Sequence, residues 1–213
     1  MIKSSVCIVR NMFDVGCVYN RMRGVDAATG QVVWSVHVGT DIGSSACIWR
    51  GHHYVSGDSG LLRCLDPADG REIWRTLLGG VGPGSLPGSN GSETSPAVHA
   101  GLVYAATYDG VLFCVDAESG RGVWKAATGD DTDASPVISG DNVIVASESR
   151  SSGVFCFDRT TGSRKWCFRG YRGGYWATPA VRDGRVFVGG GAGGGIYCLD
   201  EHDGSVIWHT RLA

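Results

Sequence analysis

Five times in 213 residues an Asp, a Gly and a Trp recur at four-residue intervals. The frames are Asp26/Gly30/Trp34, Asp66/Gly70/Trp74, Asp116/Gly120/Trp124, Asp158/Gly162/Trp166 and Asp200/Gly204/Trp208. A hydroxyl residue precedes each Asp by 21 to 23 positions: Ser5, Ser45, Ser95, Ser135 and Thr178, spaced by 40, 50, 40 and 43 residues. The least regular copy, SSVCIVRNMFDVGCVYNRMRGVD, still aligns without a gap on SSACIWRGHHYVSGDSGLLRCLD. Such repetition limits the fold more than any other feature, because one small unit cannot bury its own apolar faces and must pack against its neighbours. The units run approximately 4–43, 44–93, 94–133, 134–176 and 177–213 and fill the chain as one domain.

Each unit reads as four short strands. In the third, SPAVHAG, LVYAATYDG, VLFCVDAESG and RGVWKAATG are Val-rich and aromatic-rich runs closed by glycine-containing turns. Tyr108-Asp109-Gly110 and Ser119-Gly120 have the composition of tight hairpin turns. Glycine occurs 34 times, roughly twice its usual share of about 7 %, and no segment sustains a helical period. An all-β fold follows: a β-propeller of five four-stranded antiparallel blades.

The Asp-x-x-(Thr/Ser/Asp)-Gly-x-x-x-Trp frame, placed after an apolar strand, resembles the repeat of pyrroloquinoline quinone (PQQ)-like β-propellers. Ser95-Pro96-Ala97, Ser135-Pro136-Val137 and Thr178-Pro179-Ala180 are similar to that family's pattern as well. The resemblance spans essentially the whole chain and implies the propeller fold. It leaves activity open, since the same repeat serves quinoprotein dehydrogenases, assembly scaffolds and accessory domains. For a dehydrogenase it implies more blades, a vicinal cysteine pair and a calcium-bound quinone. This chain has five repeats and no Cys-Cys, so no cofactor is expected.

Residues repeated in every copy suit construction, because catalysis needs different groups converging at one place. Each frame Trp is expected to bury a large flat ring at the edge of its blade and to dock its indole N–H on backbone. The Asp and Gly are expected to close the third hairpin, with the carboxylate accepting turn amide protons. The hydroxyls at the head of each unit are expected to cap nearby backbone groups. Cys64, Cys114, Cys156 and Cys198 share one repeat position, two residues before the Asp. They read as small core residues in separate blades, with no metal-ligand spacing and no disulfide framework.

Recognition is then expected where the copies differ. The segment Gly79 to Glu93 adds a Gly/Ser/Pro-rich loop between the second and third units, an inert insertion or a lid. RGYRGGYWAT places Tyr171, Arg172, Tyr175 and Trp176 between the fourth and fifth units, where aromatic faces and guanidinium groups suit a sugar or a peptide side chain. The bland alternative is packing over the end of a blade. GDDTDAS supplies Asp130, Asp131 and Asp133, oxygen donors without an EF-hand spacing; no metal site is assigned. The run Gly189–Gly195 has neither a phosphate-loop lysine nor a GxGxxG lead into a helix, and is expected to leave open space. All these segments are expected on one face, so Glu93, Asp130, Asp131, Asp133, Tyr171, Arg172, Tyr175 and Trp176 form the candidate ligand-binding set.

Lys plus Arg is 19 and Asp plus Glu 21, a net charge of −2 that gives nucleic acid and anionic membranes no hold. No stretch reaches the roughly 18 apolar residues of a membrane span. MIKSSVCIVRN lacks the apolar core of a secretory signal; with reduced thiols expected, this points to the cytoplasm. No serine lies in a nucleophile elbow, and His52-His53 on a strand would face opposite ways. The expectation is a non-catalytic binding or scaffold propeller for a protein or small polar ligand. A five-bladed lectin-like carbohydrate binder is the alternative, and a degenerate quinoprotein the second. The chain is expected to be a monomer if the five blades close, and to self-associate if they form an open arc.

Overall fold

Every unit is organised around one turn. The frame Asp main-chain carbonyl accepts from the Gly amide four residues on, at 2.8–2.9 Å in all five copies, and the Asp amide donates to the residue after that Gly. In the first, third and fourth turns the carboxylate also takes N–H and O–H bonds from residues two or three positions on, Thr29, Ser119 and Thr161 among them. These bonds hold the Asp26, Asp116 and Asp158 carboxyls below the ordinary range, side-chain hydroxyl donors contributing most. The Gly occupies the left-handed region, φ between 69° and 74° in all five. A register shift one residue after the Cys position, repeated in every copy, bends the third strand into this turn.

The turns connect strands of a computed structural model that describes residues 4–9, 11–17, 20–78, 91–129, 131–148, 153–170, 174–175, 177–191 and 194–212. The first sheet contains β1 (Cys7–Val9), β2 (Met12–Cys17), β3 (Arg21–Asp26) and β4 (Val32–His37). The second contains β5 (Cys47–Trp49), β6 (His52–Val55), β7 (Leu61–Leu65) and β8 (Glu72–Leu77). The third contains β9 (Ala97–His99), β10 (Leu102–Ala106), β11 (Val111–Asp116) and β12 (Gly122–Ala127). The fourth contains β13 (Val137–Ser139), β14 (Asn142–Ser147), β15 (Gly153–Asp158) and β16 (Arg164–Phe168). The fifth contains β17 (Ala180–Arg182), β18 (Arg185–Gly189), β19 (Ile196–Asp200) and β20 (Val206–Thr210). Strands pair antiparallel in chain order within each sheet, and there is no helix among the described residues. The all-β reading holds, with five four-stranded blades. The first strands of successive blades touch one another, β1 with β5, β5 with β9, β9 with β13 and β13 with β17, so they line the hub.

Core packing lies between blades. Tyr104, Ala106, Leu112 and Cys114 of the third blade meet Val143, Val145, Phe155 and Phe157 of the fourth. Equivalent clusters join the first blade to the second, the second to the third and the fourth to the fifth. Cys64, Cys114, Cys156 and Cys198 are fully buried in their sheets. Desolvation pushes the Cys64 thiol up to about 11 and those of Cys114 and Cys156 to about 12. The seven described cysteine side chains are all free thiols.

Two further devices join neighbours. The Trp indole N–H reaches forward to the next blade: Trp34 to the Pro67 carbonyl (2.8 Å), Trp74 to Ala117 (3.0 Å), Trp124 to Arg159 (3.1 Å) and Trp166 to Glu201 (2.8 Å). Each ring lies on the next blade's turn glycine. A Cβ added to Gly70, Gly120, Gly162 or Gly204 would come within 2.5–2.6 Å of the facing indole. At the hub, the backbone N–H of Ser5, Ser45, Ser95 and Ser135 donates to the hydroxyl of the following unit's anchor, ending on Thr178, at 2.8–3.0 Å. The anchor hydroxyls thus bridge blades; capping within a blade falls to the preceding residue, as Ser4, Ser44 and Thr94 do for Gly16, Ser56 and Ala106.

All three devices occur four times among the described residues, not five. Trp208 is 40 % exposed, whereas Trp34 and Trp166 are 8 % exposed. Nothing lies within 4 Å of a Cβ placed on Gly30. Ile8, whose equivalents Val98, Ile138 and Val181 pack against the preceding blade, is 66 % exposed. The fifth blade and the first therefore present bare faces, and the blades form an arc. The expected docking of Trp208 is corrected accordingly: its ring is 40 % exposed and lies 6.0 Å from Phe187 of its own blade.

The first joint is the most polar. His53 stands where Val103, Val143 and Val186 stand in later blades, and is 1 % exposed. Burial pushes its imidazole down to about 4, against the pull of Asp66. Arg63, also buried, donates to the Val38 carbonyl at 2.6 Å and pairs with Glu72.

Three outcomes follow from this packing. Trp166→Ala should lose about 3–5 kcal/mol in denaturant unfolding, and Trp208→Ala less than about 1 kcal/mol. Gly30→Ala and Gly162→Ala share the same positive φ and so the same strain, of roughly 1–2 kcal/mol; only Gly162→Ala should lose substantially more, through collision with Trp124. His53 is neutral when folded and binds a proton near pH 6.5 when unfolded, so stability should fall by about 2–3 kcal/mol as pH drops from 7 to 4. His53→Val should flatten that part of a pH–stability curve.

Candidate functional site

Four backbone hydrogen bonds build one face of the arc. The amides of Asp58, Tyr108, Glu148 and Gly191, in the second hairpin turn of their blades, donate to Asp41, Gly91, Asp131 and Gly174 at 2.8–3.2 Å. The acceptors belong to the connections that bring the chain into each of these blades. Side chains from both loops consequently share a rim.

That rim is acidic. Asp131, Asp133 and Glu148 each offer a carboxylate oxygen, and these atoms lie within 4.8 Å of one another. Asp131 and Glu148 come together because the Glu148 amide bonds the Asp131 carbonyl at 2.8 Å. One blade earlier, Tyr108 stands among Glu93, Asp58 and Asp133. Desolvation raises its phenol first, and those carboxylates raise it further, Glu93 through a hydrogen bond as well. Glu93 reaches the first connection, within 3.2–3.4 Å of where a Cβ on Gly43 would sit. Three oxygen donors at Asp131, Asp133 and Glu148 suit a hard cation or a basic side chain.

The candidate residues distribute unevenly over this picture. Asp131, Asp133 and Glu93 lie on the rim. Asp130, Tyr171, Arg172 and Trp176 lie outside the described residues, as do Val81 to Asn90 of the long loop. Tyr175 is fully buried, with Phe168 at 6.1 Å and Tyr197 at 6.2 Å between ring centroids. Its expected place in the ligand-binding set is corrected in favour of the packing alternative: it occupies the position of Ile42, Ser92 and Thr132, all buried, and fills the core between the last two blades. The end of the glycine run, Gly194–Gly195, is not open space either. A Cβ on Gly195 would strike the Thr210 carbonyl at 2.1 Å, and the Gly194 carbonyl meets the His209 ring nitrogen at 2.6 Å. Glycine is required there for close approach of two backbones.

Asp58 and Glu148 were not singled out from sequence, and Tyr108 was read only as part of a hairpin turn. They share one repeat position, four residues beyond Tyr54, Tyr104 and Ile144, so aligning the second hairpin turns would have gathered them. Shallow hollows on the opposite face recur at successive joints, lined by first-hairpin and third-hairpin turns such as Arg50, Gly101 and Glu118, or Asn142, Gly184 and Glu201. Their recurrence marks them as gaps of construction.

Comparison with known proteins agrees with this architecture. Residues 19–166 match the family model described as outer membrane protein assembly factor BamB. Outer membrane protein assembly factor BamB of Burkholderia pseudomallei is 28% identical over 169 residues, 75% of this chain. The chain spans 40% of that relative's length. The crystal structure of BamB from Moraxella catarrhalis superposes with a TM-score of 0.62 at 19% identity, over 100% of this chain and 77% of that one. Quinohemoprotein alcohol dehydrogenase from Comamonas testosteroni reaches a TM-score of 0.84 at 16% identity, over 100% of this chain and 43% of that one. At such identities the structural likenesses establish the fold alone.

The cytoplasmic expectation is overturned by the relative and family matched here, an outer membrane protein assembly factor. Reduced thiols were a poor guide, because Cys64, Cys114, Cys156 and Cys198 are core residues in separate sheets and report packing, not compartment. No helix among the described residues is long and apolar enough to cross a membrane. With the frame repeated in five blades and two thirds of the chain matched, this protein belongs to the BamB family of PQQ-repeat β-propellers.

Proposed function

We propose that this chain is a non-catalytic scaffold that holds a protein partner on its acidic rim. The observation carrying this reading is the convergence of Asp131, Asp133 and Glu148, with Asp58 and Glu93 around Tyr108 one blade away. Carboxylates gathered on one rim present acceptors that a lysine or arginine side chain meets through charge-assisted hydrogen bonds. The rim spans several blades, which suits an extended basic segment better than a compact small molecule. Family membership favours the same class of role, since the relative is an assembly factor by name. The carbohydrate alternative has lost support with the burial of Tyr175. The quinoprotein alternative requires a vicinal cysteine pair that the sequence lacks.

The test uses a lysine- and arginine-rich peptide, a neutral peptide of equal length, a glycan array and a quinone titration. Binding of the basic peptide alone, weakening steeply as salt rises, is the expected result. The triple variant Asp131→Asn, Asp133→Asn, Glu148→Gln should lose at least tenfold in affinity, while circular dichroism and cooperative melting verify that it is still folded. Equal binding of both peptides, or a glycan or quinone signal, would replace this reading.

A further inference from the structure

One position on the rim breaks its acidic pattern. Where the second hairpin turns of the second and fourth blades carry Asp58 and Glu148, the third blade carries Tyr108. Backbone and ring of Tyr108 are both held by Gly91, in the connection entering that blade. The Tyr108 amide donates to the Gly91 carbonyl at 3.0 Å. A Cβ on Gly91 would lie 2.6 Å from ring atom Cε2 and 2.9 Å from Cδ2. The same Cβ would lie 2.9 Å from the Asp58 carbonyl oxygen, so the Gly91 backbone is wedged between the turns of two blades. No side chain fits between ring and connection, and the ring has a rigid seat. Tyr108 is only half-buried, which leaves part of it open to solvent. Its hydroxyl bonds Glu93, with the Asp58 and Asp133 carboxylates close by. Burial first, and then these charges, keep the phenol protonated well above neutral pH, so it acts as a lasting donor to Glu93.

This station differs in chemistry from Asp131, Asp133 and Glu148, which offer oxygens alone. A seated ring beside carboxylates discriminates between basic side chains. A planar guanidinium stacks on the ring while its fork of N–H donors meets a carboxylate. An ammonium is a compact, strongly hydrated charge without that flat face. We propose that Tyr108 is the specificity-determining residue of the rim, and that the basic segment held there sets an arginine, in preference to a lysine, on its ring. The proposal rests on the reading of the rim as a site for a basic segment. Tyr108 supplies the stacking surface, and Glu93, oriented by the phenol, supplies the carboxylate.

The experiment titrates the chain at low salt, by calorimetry, with two peptides of equal length, one alternating serine with arginine and the other serine with lysine. The arginine peptide should bind at least about threefold more tightly. Tyr108→Leu should bring the ratio of the two affinities close to one, and Tyr108→Asn serves in its place if the leucine variant does not fold. Tyr108→Phe keeps the ring and should retain most of the ratio. A residue that merely supports its turn would move both affinities together and leave their ratio alone. Circular dichroism and cooperative melting verify that each variant is folded. Equal, salt-sensitive binding of both peptides by the parent would overturn this inference and leave the rim reading standing. So would a ratio that survives loss of the ring, or one that Tyr108→Phe loses as completely as Tyr108→Leu. Binding of neither peptide would remove the rim reading and this inference together.

Discussion

The structure depends on a flat indole resting on a bare glycine turn of the next blade. Four-stranded sheets of this size cannot stand alone, and here every extensive core cluster lies between two sheets. The Trp–Gly seat sets the separation at the outer edge, since a single added methyl group would sit 2.5–2.6 Å from the ring. Serine rungs set it at the hub, where the strands are shortest. Sheets clamped at both edges can be filled in the middle by Val, Leu, Phe and Cys of varied volume. This explains how the cores tolerate Ile144 where other blades carry Tyr54 and Tyr104.

Tyr54 and Tyr104 show the same economy on a smaller scale. Each tucks its ring beside the frame Trp of its own blade, at 5.8 Å, and donates its hydroxyl to the carbonyl that also accepts the Trp N–H. A buried carbonyl has two lone pairs, so one acceptor from the next blade satisfies both donors. The polar groups at the joint are thereby matched without charge. The exception is the first joint, where His53 and Arg63 replace apolar residues and bring pH sensitivity with them.

The rim uses the freedom that this construction leaves. The second hairpin turns and the connections entering the blades carry it, and four backbone bonds fix their positions relative to one another. Carboxylates can therefore be collected at short range on rigid supports. Likeness to both an assembly factor and a dehydrogenase reflects the scaffold they share; what is recognised depends on loop residues that the scaffold does not dictate.

The frame spacing alone determined the number of blades, their four strands, the turn glycines and the inward-facing cysteines, because those features follow from local periodicity and φ preferences. Asp131, Asp133 and Glu93 were legible as departures from the repeat. Glu148, Tyr108 and Asp58 were not, since they belong to a different loop and join the rim only through backbone bonds across a hairpin. For Tyr175 the sequence leaves ligand contact and packing both open, and the fold buries it; a position between blades has no local signature. Tertiary structure also decided that Trp–Gly contacts run from one blade to the next, and that five blades leave an arc. The curvature of a stack is set by how the faces pack, and nothing in a repeat length encodes the angle between neighbours.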